Sequence, residues 1–134
     1  MTDYRSLPGD QAPTHSEAAA FPPLTVVDLR RAAAIVDQPY KNFVALNVND
    51  HCVRVAVMEG TFRWHLHPHS DECFLVLEGE LEIDLADGRV VRCAPGDAFC
   101  IPAGVVHRTR SRTRTVNLCF EDRGAYVDAV FVDR

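Results

Sequence analysis

Residues 60–79, GTFRWHLHPHSDECFLVLEG, hold a dense set of side chains able to bind a metal ion. His65 and His67 stand two residues apart, and Glu72 follows five residues later. A second cluster at 96–107, GDAFCIPAGVVH, ends in His107. Three imidazoles and one carboxylate are the donors of a mononuclear transition-metal centre. On a strand, residues i and i+2 project from one face about 6.7 Å apart. His65 and His67 therefore aim at one point while Leu66 turns away. Pro68, Ser70 and Asp71 supply a turn, after which the chain returns antiparallel and sets Glu72 beside the histidines. Phe74 and Val76 share the parity of Glu72, so an apolar wall stands next to the acid and strengthens coordination. His107 must arrive from a separate strand, positioned by the turn at Pro102–Gly104. An isolated HxH pair is a weak signal. The HxH pair, the following acid, the spaced glycines and PxGxxH together are a strong one.

The elements around these residues read as mostly strands. From Phe43 the apolar period is two, with Val44, Leu46 and Val48, then Val53, Val55 and Val57 after a turn at Asn49–Asp50. Further strand-like runs cover 61–67, 72–78, 80–85, 89–94, 97–101, 105–110, 115–120 and 126–132. Glu78–Gly79 and Asp87–Gly88 are tight-turn pairs, the second a type I′ signal, and Pro95–Gly96 marks a further corner. Short strands with turns every 8 to 12 residues indicate a sandwich or barrel. Before them, Val26, Leu29, Ala33 and Val36 recur at helical spacing up to Pro39, with Thr25 and Asp28 spaced as a capping box. Residues 1–24, with Pro8, Pro13, Pro22 and Pro23 and no apolar period, are predicted to be a flexible arm, and 25–134 the single domain.

Two charge ladders alternate with uncharged residues. Glu78, Glu80, Glu82 and Asp84 alternate with Leu81, Ile83 and Leu85, and Arg108, Arg110, Arg112 and Arg114 with Thr109, Ser111 and Thr113. Both read as solvated sheet faces joined by cross-strand ion pairs, and His107 has the opposite parity from the arginines, so it points inward.

At 134 residues the chain is one domain with enough surface to bury a core unaided. A net charge of −5 argues against a nucleic-acid partner. No apolar run approaches the roughly 20 residues that cross a bilayer, so no membrane partner is expected. The first residues lack the pattern of a secretory signal. The five cysteines, Cys52, Cys73, Cys93, Cys100 and Cys119, are odd in number and have no CxxC spacing. They read as reduced and packed, which suits a cytoplasmic protein.

The two clusters resemble the two motifs of the cupin superfamily, in its small single-domain bacterial form. The first, G(X)5HXH(X)3-4E(X)6G, is met by Gly60, His65, His67, Glu72 and Gly79, with four residues instead of five before His65. The second, G(X)5PXG(X)2H(X)3N, is met by Gly96, Pro102, Gly104 and His107, over 96–111, with Ser111 in place of the Asn. The resemblance implies an all-β double-stranded β-helix, or jelly-roll, barrel with the short helix before it. It also implies one divalent transition metal (Fe, Mn, Ni, Co or Zn) held by His65, His67, Glu72 and His107, and pairing as a homodimer. Four protein ligands leave two adjacent positions of an octahedron for a small, oxygen-rich substrate. Dioxygenase-type chemistry is placed ahead of isomerase, cyclase or decarboxylase-type chemistry, with a non-catalytic metal-anchored binding protein as the alternative.

Around that centre, Arg63 shares the histidines' parity and would reach an anionic substrate at the barrel mouth, and Thr109, Asn117 and Cys119 would line the cavity. Phe62 and Trp64 have the other parity and would face away. His69 lies in the turn and His15 and His51 have no partners in sequence, so all three read as surface residues. No residue stands out as a general acid or base.

Overall fold

The computed structural model describes residues 2–4, 17–125 and 127–134. One short helix, α1 (Leu29–Ala34), precedes nine strands: β1 (Tyr40–Val48), β2 (His51–Thr61), β3 (His65–Leu66), β4 (Glu72–Glu78), β5 (Leu81–Leu85), β6 (Val90–Cys93), β7 (Ala98–Ile101), β8 (His107–Asp122) and β9 (Val130–Phe131). Every pairing among them is antiparallel. No described helix is long and apolar enough to cross a membrane.

The sheet is built around β8. One edge of this strand pairs with β3 and β2, and the other with β5 and then β4. Two separate strands were expected at 105–110 and 115–120, but β8 runs unbroken through its polar middle. There Ser111 Oγ donates to the Met58 carbonyl (3.0 Å) and Gly60 pairs with Ser111 beyond an irregularity in which residues 112–114 of β8 stand opposite Glu59. β2 ends at Thr61, and the pairing slips by one residue between Thr61↔Arg110 and His65↔His107, so no regular strand spans 61–67.

Strand alternation places different cores on the two faces of β2 and β8. Val55, Val57, Val116 and Leu118 pack outward against Phe21, Tyr4 and the Ala32–Ala33 face of α1. Arg54, Ala56, Met58, Asn117, Cys119 and Glu121 face the interior cavity. A second apolar cluster of Phe74, Val76, Leu81, Ile83, Leu85 and Ile101 closes the interior. Of the segment read as an arm, Ala20 and Phe21 donate their N–H groups to the Val44 and Ala45 carbonyls (2.8 and 3.2 Å), and Tyr4 and Phe21 are buried. Pro8, Pro13 and His15 lie outside the described residues.

Several local expectations change. The helix is capped by Asp28, whose carboxylate accepts from Arg31 N–H (3.1 Å), whereas the Thr25 hydroxyl donates to the Pro23 carbonyl. Val26, placed on the helix's apolar face by its spacing, lies before the cap and is exposed. The hairpin after β5 is closed by Gly88 N–H on the Leu85 carbonyl (3.0 Å). Only Gly88 in it has positive φ, so it is a three-residue loop and not type I′. The acidic ladder is not solvated in its second half: Glu82 and Asp84 are buried. The register Glu82↔Arg110 and Asp84↔Arg108 lets Arg110 grip Asp84 bidentately (2.9 and 3.0 Å). Arg108 reaches Asp84 as well (2.8 Å) and Arg112 reaches Glu82 (3.2 Å). The arginines are thus engaged outside the barrel, while His107, Thr109 and Ser111 are buried inside it.

Candidate metal centre

Three strands and the residue just after β3 deliver the four predicted donors. His65 sits on the two-residue β3, directly opposite His107 at the start of β8 and Phe131 on β9. Glu72 opens β4, where it pairs with Ile101 and, across the other edge, with Glu121. His67 lies just beyond β3. The turn that leads to His107 is tied to the first cluster twice. Gly104 N–H donates to the His67 carbonyl (2.8 Å), and Ala103 N–H donates to the Asp71 carboxylate (2.9 Å). The Ser70 hydroxyl accepts from Asp122 N–H (3.0 Å), which binds the turn between His67 and Glu72 to the end of β8.

One donor atom each from His65, His67, Glu72 and His107 falls within 4.8 Å of all the others, and all four residues are buried. Each ring nitrogen Nδ1 meets a backbone carbonyl: Arg63 for His65 (2.8 Å), Ala125 for His67 (2.8 Å) and Val105 for His107 (2.9 Å). A carbonyl only accepts, so each Nδ1 carries a hydrogen and each Nε2 remains as the donor atom for the centre. Glu72 faces two of these nitrogens, Oε1 at 3.1 Å from His107 Nε2 and Oε2 at 3.1 Å from His67 Nε2. Although close, the His67 contact is not aligned as a hydrogen bond. Lone pairs facing a carboxylate require a cation among them, either a proton or a metal ion. The donor set therefore fits a divalent transition metal on its own chemistry.

The electrostatics follow from burial and this crowding. Burial pulls His65 down to about 4, so its ring is neutral. Burial also acts to lower His67, but the close Glu72 carboxylate outweighs it and holds His67 up at about 9. Burial opposes ionisation of Glu72, and His107 and His67 reverse this and keep it well below the usual carboxylate range. The Cys119 thiol is pushed well up by burial, then by Glu72 and Glu121, and it donates to Glu72 Oε2 (3.3 Å).

The centre opens into a cavity of about 330 Å³. Its wall carries Tyr40, Phe62, Phe74 and Phe131, with Val127 and Ala129 from the segment after β8. Phe62 was expected to face away. The pairing slips by one residue between Thr61↔Arg110 and His65↔His107, through the non-strand residues 62–64, so Phe62 keeps the inward parity of Ala56 and Met58 and its ring packs edge-on to His65 at 5.2 Å between centroids. Thr109 and Asn117 line the cavity as expected. The Arg63 side chain does not line it: the guanidinium lies over the outer Phe131 ring, 4.1 Å from its centroid, and the residue serves the centre through its carbonyl. Trp64 lies between Arg108 and Arg134. His51 and His69 are exposed.

Sequence reasoning missed Glu121 and Arg54. Glu121 lines the cavity beside Glu72. Its Oε1 is held by Arg54 Nε at 2.9 Å, and its Oε2 has no hydrogen-bond partner among the described residues. Arg54 reaches on to Glu17 (3.1 Å) and Asn42 (3.1 Å). Burial, and then the Glu72 carboxylate, push Glu121 up to about 8. The available signal was the parity of Asn117, Cys119 and Glu121, three alternate residues of one strand.

The comparisons with known proteins agree with this geometry. Residues 52–120 match the cupin domain family. The chain belongs to the cupin superfamily. A protein of Bacillus subtilis (strain 168), YdbB, itself uncharacterized, is 53% identical over 90 residues, covering 67% of this chain and 80% of that one. The crystal structure of a cupin-2 domain containing protein from Shewanella frigidimarina is 27% identical with a TM-score of 0.66, over 72% of this cupin and 93% of that chain. The DMSP lyase DddQ from Ruegeria pomeroyi is alike in fold, at 23% identity and a TM-score of 0.58, over 70% of this chain and 52% of the lyase.

Proposed function

We propose that this cupin is a metal-dependent enzyme acting on a small, oxygen-bearing molecule, with His65, His67, Glu72 and His107 as the ligands of one divalent transition metal. The observation that carries the reading is the convergence of these four donors with every Nδ1 secured to a carbonyl. Such a metal supplies Lewis acidity to polarise a substrate oxygen. The chain's own residues do the rest. Tyr40, Phe62, Phe74 and Phe131 hold the apolar part of the substrate and exclude water. Asn117 Oδ1 and Glu121 Oε2 are buried oxygens without hydrogen-bond partners among the described residues, so they favour a substrate that presents hydroxyl groups. Glu121 stands where it can take a proton from the substrate and return it.

That carboxylate moves the balance between reaction types. Isomerisation, cyclisation and decarboxylation need proton transfer at the substrate, whereas oxygenation needs only a redox-active metal and room for dioxygen. We therefore place isomerase or lyase-type chemistry ahead of dioxygenase-type chemistry.

Metal analysis of protein purified without an affinity tag tests the first step. About one equivalent of a single divalent metal is expected, lost in His67→Ala and His107→Ala variants that still fold. Protein that holds no metal and takes none up on reconstitution would sink the proposal. Substrate screens run with and without dioxygen separate the chemistries. Turnover that requires dioxygen restores the oxygenase, and a bound ligand that is never converted marks a binding protein. For a proton-transfer enzyme, Glu121→Gln keeps the metal and loses about a hundredfold or more in turnover.

A further inference from the structure

Two cysteines stand directly across from each other on the outside of the barrel. β4 and β7 pair antiparallel with Cys73 opposite Cys100. Val76 N–H donates to the Asp97 carbonyl (3.1 Å), which makes 76–97 a hydrogen-bonded position of this ladder. Bonded and non-bonded positions alternate. Stepping back through Leu75↔Ala98 and Phe74↔Phe99 therefore makes Cys73↔Cys100 a non-hydrogen-bonded pair. At such a pair the Cα atoms lie about 4.5 Å apart and the side chains approach most closely. A disulfide spans Cα separations of roughly 4.4–6.8 Å.

Orientation and access agree with the spacing. Glu72, Phe74 and Ile101 are buried, so the alternate residues Cys73 and Cys100 both point outward. All five cysteines are free thiols. Cys100 is exposed and Cys73 half-buried, while Cys52, Cys93 and Cys119 are buried. No other cysteine has a cysteine as its register partner among the described strands. The expectation that the cysteines merely pack as small hydrophobes therefore fails at this pair.

We propose that Cys73 and Cys100 form a reversible cross-strand disulfide by exchange with a low-molecular-weight disulfide such as oxidised glutathione. The exposed Cys100 thiolate attacks one sulfur of the small disulfide, forming a mixed disulfide and releasing one small thiolate. The Cys73 thiolate then attacks the Cys100 sulfur, closing the protein bond and releasing the second small thiolate. Two protein thiols thus give up two electrons and two protons, which leave on two molecules of the small thiol. The Cα spacing lies at the short end of the range, which leaves the bond readily reducible. Its effect is local and directed. Among the described strands β7 pairs only with β4, and the chain runs from β7 through the Pro102–Gly104 turn to His107. A bond beside the Glu72↔Ile101 pair staples this edge strand to the strand that carries Glu72.

The test uses the whole native protein, incubated with oxidised or reduced glutathione, alkylated with iodoacetamide, digested and read by mass spectrometry. Oxidation is expected to produce a Cys73–Cys100 linked peptide within one chain, with the alkylation of both cysteines lost. Dithiothreitol restores both. Cys73→Ser and Cys100→Ser each abolish the linked peptide, and Cys93→Ser keeps it. Amide exchange of β7 slows several-fold in the oxidised form, while that of α1 is unchanged. A persistent glutathione adduct on Cys100, a link between two chains, a link among other cysteines, or all thiols alkylated after oxidation would each overturn the proposal. These readings are made on the unsubstituted protein, so they do not depend on any variant folding.

Discussion

His67 ties the centre's proton chemistry to the metal chemistry proposed for it. With its folded value held up at about 9, against an ordinary 6.5, by Glu72, its ring carries a proton that an incoming metal must displace. Apparent metal affinity is expected to fall about tenfold for each pH unit below about 9, the cost of one displaced proton. Competition titrations with a chelator across pH 7 to 9 check the slope. The metal-free protein moves the other way. The folded state binds more protons than the unfolded one between 6.5 and 9 at His67, and Glu121, raised from 4.5 to about 8, adds to this. Stability of the metal-free protein therefore declines as pH rises through that window, which thermal melts in the presence of a chelator measure. Arg54 is the other decisive residue. It is buried between Glu17 and Glu121, and Arg54→Ala leaves two carboxylates without their cation. A loss of about 3–5 kcal/mol in urea unfolding is expected.

At the scale of elements, glycines and strand parity decide what the chain can do. Gly79 closes the turn after β4 with φ 81°. A Cβ there would stand 2.6 Å from the Arg114 carbonyl and 2.9 Å from Thr115 Cα, both on β8. Backbone cannot step aside as a side chain can, so Gly79→Ala is expected to cost at least about 2 kcal/mol, read by chemical denaturation. Parity also explains what the sequence reveals and what it conceals. His65, His67, Glu72 and His107 are legible because their spacing matches a strand, a turn and a strand, and the arginine ladder shows which side of β8 His107 occupies. Phe62 is not legible, because a one-residue slip between Thr61 and His65 breaks the alternation that links it to the histidines. Arg54 and Glu121 are hidden for another reason. In β2 and β8 the apolar residues Val55, Val57, Val116 and Leu118 make a core with α1 and the N-terminal segment. The alternate residues then read as a solvent face, although they line the interior cavity. A sheet buried on both sides makes alternation ambiguous.

Across the whole molecule, the two apolar clusters serve different ends. The outer one, where Phe21 is 4% exposed among Tyr4, Phe43 and α1, holds the barrel's back. Phe21→Ala is expected to lower stability by about 3–5 kcal/mol. Metal content of the folded fraction should stay unchanged, because the cluster lies on the opposite side of the sheet from the four donors. Denaturant titration paired with metal analysis separates these two effects.

The segment after β8 does the opposite. Val127, Ala129 and Phe131 roof the cavity, and Ala125 holds the Nδ1 of His67 through its carbonyl. Cover and coordination are therefore one piece of chain. A molecule clipped just beyond Asp122 would lose the lid of its cavity and the anchor of one ligand in the same event. Damaged copies would then shed their ion instead of persisting as open centres with exposed reactivity. In this sense the tail works as a seal of integrity, and metal retention after limited proteolysis reports whether it is intact.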